Sequence, residues 1–128
     1  MDRSTLDTRL HQAAEHYAQG RYDEALAIYQ AALEEDPTNP DALNDAGLCH
    51  HQLGAPQEAI ACFEQALEHD PSYEGAFFNL LEVTLDTEDR QQAATRFETF
   101  GTAIPQSPEK ERFDKQIHAP HPQHRGDG

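Results

Sequence analysis

Between Tyr22 and Asp89 the chain has no lysine and no arginine, while the same stretch carries 16 acids. Over all 128 residues there are 9 basic and 24 acidic side chains, a formal charge of −15 and a pI near 4.6. A nucleic-acid partner is excluded on this balance, because phosphate affinity comes mostly from Lys and Arg displacing counterions. An anionic lipid surface is disfavoured for the same reason. Three readings of the acidity stand side by side. It steers basic partners within a screening length of about 8 Å at physiological salt; it is a solvated exterior; or it reflects a high-salt habitat, which two lysines (Lys110 and Lys115) beside seven arginines would suit.

Other absences narrow the class further. No stretch approaches the roughly 18 apolar residues of a membrane span. Met1 to Asp7 holds no apolar run of the signal-peptide kind, so the expected compartment is the cytoplasm. The two cysteines, Cys49 and Cys62, fit reduced, packed thiols better than a disulfide framework. No Gly-rich phosphate loop is present, nor a nucleophile with an identifiable base, so neither catalysis nor a cofactor is expected.

What the chain does contain is a period of 34. Ala25, Ala59 and Ala93 share one slot; Tyr29, Phe63 and Phe97 share the slot four residues later; Pro37, Pro71 and Pro105 close each copy. Gly20 recurs as Gly54, and Ala32 as Ala66. The copies run over 6–39, 40–73 and 74–107. In the first, Leu6, Leu10, Ala13, Ala14 and Tyr17 fall at helical spacing from about Thr5 to Gln19, Gly20 stops that helix, and a second starts near Asp23. In the second, Asn39 and Pro40 read as N-cap and first helical residue. Leu43, Ala46, Gly47 and His50 form the inward face of its first helix, and Ala59, Phe63, Ala66 and Leu67 that of its second. The third is worn. Glu88 replaces the turn glycine, and Phe100 stands in the small slot of Ala32 and Ala66, as suits the last unit of an array. Pro108, Glu109 and Glu111 then open a short helix over 108–118, whose Phe113 and Ile117 are expected to cover Phe97, Phe100 and Ile104. From Ala119 to Gly128 the tail has nothing to bury and is expected to be disordered.

Across residues 6–107 the pattern resembles the tetratricopeptide repeat family, whose signature is W-x-x-L-G-x-x-Y, then Ala, an aromatic and Pro. Leu43, Ala46, Gly47, His50, Ala59, Phe63 and Pro71 occupy those slots in the second copy. The opening group is poorly kept in the first copy (Arg9, Gln12, Ala13, His16) and in the third (Phe77, Leu80, Leu81, Thr84). The resemblance implies an all-α superhelix of three helical hairpins with a C-terminal capping helix over 1–118. It also implies that first helices line a concave groove holding a peptide or helix. Mapped here, the lining is Leu10, Ala14 and Tyr17; Asn44, Leu48 and His51; and Phe78, Glu82 and Leu85. Each triple is spaced to share a helix face, and the mix of apolar and polar points suits an amphipathic helix or an extended peptide. Leu10, Tyr17 and Leu48 also read as plain core. Family members serving heat-shock chaperones grip a terminal carboxylate with Lys and Arg on those helices; with no base there beyond Arg9, such a clamp is excluded.

The eight histidines raise a metal reading. His16 and His50 share one slot and read as a half-buried, hydrogen-bonded pair. His50 and His51 point about 100° apart and do not converge on an ion. His118, His121 and His124 recur every third residue in the tail, a pattern that takes Zn or Cu weakly. No metal site is expected within the repeats. The reading is therefore a non-enzymatic adaptor or scaffold for a basic or amphipathic protein segment, with a self-associating scaffold (a homodimer) or a metal-responsive tail as alternatives.

Overall fold

A computed structural model describes residues 3–118. Seven helices follow one another: α1 (Arg3–Ala18), α2 (Tyr22–Glu35), α3 (Pro40–Gln52), α4 (Pro56–His69), α5 (Glu74–Thr87), α6 (Arg90–Gly101) and α7 (Pro108–His118). No strand occurs among the described residues. Neighbours in sequence are neighbours in space, α1 on α2 through to α6 on α7. The result is an all-α superhelix of three hairpins and a closing helix. The period is visible in the backbone itself. Tyr22, Pro56 and Arg90 open α2, α4 and α6 at steps of 34, and Pro40, Glu74 and Pro108 do the same for α3, α5 and α7.

Local chemistry sets the helix ends. Asn39 caps α3 by accepting from the Ala42 N–H at 3.1 Å, with Pro40 in the first turn. Gly20 and Gly54 both sit at φ +80°, the left-handed region glycine enters without penalty, and so turn the first two hairpins. The third hairpin uses another device. Glu88 is extended (φ −131°, ψ −177°), and Asp89 caps α6 by accepting from the Gln92 N–H at 2.9 Å. Glu88 then accepts from Arg96 at 2.8 Å and from Gln57 at 3.1 Å, and Arg96 also reaches Glu64 at 3.0 Å. An ionic clasp onto α4 thus stands where the earlier copies have a bare glycine.

Alanines and rings meet between the hairpins. Ala25, Tyr29, Ala59, Phe63, Ala66 and Ala93 are all buried. Gly47 is the tightest point, since a Cβ built there would lie 2.6 Å from Phe63 Cε1. Phe97, in the slot of Phe63, is only half-buried. Its ring carries Lys110 Nζ at 5.9 Å on one side and the His118 ring edge-on at 5.6 Å.

Helix α7 covers the last repeat with Phe113 and Ile117, which join the cluster of Phe97, Phe100 and Ile104. It is held at both ends. Lys110 Nζ donates to the carbonyls of Gly101 and Ile104, each at 2.8 Å, and the Arg90 guanidinium donates to the Ile117 carbonyl at 3.0 and 3.2 Å. The tail expected to be disordered, with His121 and His124, lies outside the described residues. His118 bonds Asp114 through Nδ1 at 2.6 Å.

Two stability measurements test this arrangement. Gly47→Ala should lose about 1–3 kcal/mol in urea unfolding, the usual cost of forcing volume into a packed contact; an unchanged midpoint would show that the Phe63 ring gives way. The hydrogen bond from Arg96, then that from Gln57, holds the Glu88 carboxyl below its ordinary value of 4.5. A depressed carboxylate stabilises fully above that value, and the gain is lost as pH falls through the folded value. Glu88→Gln should therefore cost about 1 kcal/mol at pH 7 and progressively less below pH 4.5; a gap independent of pH would contradict the clasp.

Candidate partner-binding face

The first helices of the hairpins, α1, α3 and α5, are joined by polar rungs. Gln52 Nε2 donates to the Tyr17 hydroxyl at 3.3 Å, Asn79 Nδ2 donates to Asn44 Oδ1 at 3.0 Å, and the Tyr73 hydroxyl donates to Asp41 at 2.8 Å. Each rung connects residues 32 to 35 apart, close to one repeat. The face they cross is the one assigned to the partner.

Its nine expected lining residues divide into two groups. Ala14 and Glu82 are exposed, and Leu10, Tyr17, Leu48, His51 and Leu85 are half-buried with part of each side chain open. Asn44 and Phe78 differ from expectation. Asn44 is 6 % exposed, its amide oxygen used by Asn79 and its nitrogen donating to Asp45 at 3.3 Å. It is a rung of the scaffold rather than a polar point in a groove. Phe78 is 9 % exposed because Phe113 of α7 stacks on it, with centroids 5.6 Å apart and planes 10° from parallel. The closing helix thus covers the third-repeat end of the face, and the open part is carried by α1, α3 and the distal half of α5.

Two acids on this face escaped the sequence reading. Asp45 is half-buried beside Asn44, and burial pushes its carboxyl up while hydrogen bonds from Asn44 and Tyr29 pull it partly back. Burial, then Asp45, likewise raises the Tyr29 hydroxyl. Asp41 receives the Tyr73 hydroxyl. The 34-residue step was the available signal, since Asp7 and Asp41, and Asp45 and Asn79, are register equivalents. With Glu82, these acids make the charged groups around the open face negative.

Burial followed by the Asp45 charge pushes the Cys49 thiol up to about 12, and burial followed by Glu58 raises Cys62. Both cysteines are free and stay protonated near neutrality. Among the described residues no three His, Cys, Asp or Glu side chains converge in a way that would hold a metal. His16 departs from the expected hydrogen-bonded histidine, because its Nδ1 is buried without a partner. No helix of the described residues is long and apolar enough to cross a membrane.

Stacked helical hairpins at a 34-residue step, with an open face on the first helices, define a helical-repeat interaction module. The tetratricopeptide repeat family model matches residues 10–74, and the chain belongs to that family. No curated protein matches the chain. Among solved structures it is similar to the Yersinia enterocolitica type III secretion chaperone SycD in complex with a peptide of the translocator YopD (TM-score 0.76, 20% identity, covering 91% of this chain and 88% of that one). It is similar to the first TPR of Spaghetti (RPAP3) bound to the HSP90 peptide SRMEEVD (TM-score 0.78, 20% identity, 91% and 93%). The Sgt2 TPR domain from Aspergillus fumigatus is a third (TM-score 0.77, 22% identity, 97% and 83%). At these identities the likeness is one of fold.

The thiol environment yields a direct test. Iodoacetamide at pH 7.5 should label Cys49 at least about a hundredfold more slowly in the folded chain than in urea, since thiolate is the reactive form. Comparable rates in both states would show that the α3–α4 packing is loose.

Proposed function

We propose that the protein is a non-catalytic adaptor that holds a basic or amphipathic segment of a partner protein against the open face of α1, α3 and α5. The observation that carries this reading is the composition of that face. Tyr17, Leu48 and Leu85 offer apolar surface, His51 adds a polar edge, and the surrounding Asp41, Asp45 and Glu82 are acids. An amphipathic segment buries its apolar stripe there and turns its cations toward those carboxylates. SycD with its YopD peptide and Spaghetti with its HSP90 peptide support peptide binding as the general mode. An acidic peptide such as SRMEEVD does not suit the present face, which lacks the bases to receive it. Because Phe113 covers Phe78, the segment rests mainly on the first two repeats and on Leu85.

The test is affinity capture from lysate with mass spectrometry, comparing the native chain with Leu48→Gln and Glu82→Lys. Each substitution should cut recovery of the specific partner by about tenfold, equal to roughly 1.4 kcal/mol, with circular dichroism showing the helices retained. Glu68→Lys, on the exposed side of α4, should leave capture unchanged. Full recovery by both face variants would place the partner elsewhere.

A further inference from the structure

One repeat boundary is filled and its counterpart is open. Between the second and third repeats, the Tyr73 ring lies so close to Gly75 that a Cβ there would be 3.2 Å from it, and its hydroxyl donates to Asp41 at 2.8 Å. Thirty-four residues earlier the same position is Asn39. That short side chain is turned into the first turn of α3, where it accepts from the Ala42 N–H at 3.1 Å. Asp7 stands in the register of Asp41. With no ring to fill it, the boundary between the first and second repeats opens into a recess of about 450 Å³. Leu6 and Leu10 give it apolar walls, and Asp7, Glu35, Asp36 and Asp41 give it carboxylates.

We infer that this recess receives an arginine side chain of the partner segment, laid on Leu6 and Leu10 with its guanidinium among Asp7, Asp36 and Asp41. This rests on the reading of α1, α3 and α5 as the partner face, and Leu10 belongs to both the face and the recess. The filled boundary shows the chemistry such a gap takes: a flat group carrying a donor to the carboxylate. The carboxylates of Asp7, Asp36 and Asp41 at the open gap, with Glu35 beside them, call for a cation in place of a neutral hydroxyl. Arginine meets both demands, because its stem covers apolar surface while its planar fork presents five donors to several carboxylates at once. Lysine, a compact and strongly hydrated point charge, matches this geometry less well. Asp36 already accepts from the Thr38 hydroxyl at 3.3 Å and Asp41 from Tyr73, and each carboxylate has further lone pairs to offer.

The experiment is a titration of the full-length 15N-labelled chain at physiological salt with N-acetyl-arginine amide, N-acetyl-lysine amide and neutral N-acetyl-citrulline amide. Arginine amide should give saturable amide shifts confined to the segments around Leu6–Leu10 and Asp36–Asp41. Lysine amide should bind several-fold more weakly and citrulline amide not at all. Asn39→Tyr, which sets a ring at this boundary at the cost of the α3 cap, should abolish the shifts while circular dichroism shows the helices retained, and Asp7→Asn with Asp36→Asn should weaken binding about tenfold. Equal binding of citrulline or lysine, non-saturating shifts spread over all acidic surfaces, or unchanged binding by Asn39→Tyr would each overturn the assignment. The probe has no apolar segment, so Leu48→Gln should leave its titration intact. Loss of the arginine titration with Leu48-dependent capture defeats the recess alone; an intact titration with Leu48-independent capture defeats the partner face alone.

Discussion

The contact between Phe63 and the backbone of α3 at Gly47 fixes how closely the second hairpin closes. A side chain at that point would meet the ring at 2.6 Å, so helix and ring approach only because glycine is there. Close packing of this kind leaves no room for gradual adjustment, and interiors built so transmit any change in volume to their neighbours. The buried alanines at 25, 59, 66 and 93 do the same work at other helix crossings. Small residues set the spacing between helices and large rings fill what remains. The open face on the other side of α3 follows from that spacing.

Much of this was legible in the chain. A 34-residue step with Gly at turns, Pro after second helices and Ala-x-x-x-aromatic within them fixes the helix order and most of the core, because each of those residues meets a local steric demand. Asn39 as a cap follows from its own chemistry and the proline after it. The third turn was only half legible. Replacement of its glycine by Glu88 was plain, but the compensation comes from Arg96, Glu64 and Gln57, two of them on another hairpin.

The partner face was legible as a set of helix positions and less so as a surface. Asn44 stands in a lining position, yet its amide belongs to Asn79, 35 residues on, and a helical register does not reveal which polar groups are already engaged. Phe78 occupies the same kind of position and is lost beneath Phe113. The reach of a closing helix depends on its docking angle, which Phe113 and Ile117 set jointly with Lys110 and Arg90. The acids at Asp41 and Asp45 draw their meaning from Tyr73 and Tyr29, residues that look like ordinary core aromatics until their hydroxyls are traced.

Helix α7 opens at Pro108, on the same step as Pro40 and Glu74. It therefore keeps the register of a first helix while its side chains cover the third repeat. That covering is a matter of composition: a lysine that ties off the carbonyls of Gly101 and Ile104, a phenylalanine stacked on Phe78, and charged side chains on the outer side. Lengthening such a solenoid would require exchanging those few side chains for small and apolar ones, with no change in the spacing of the chain.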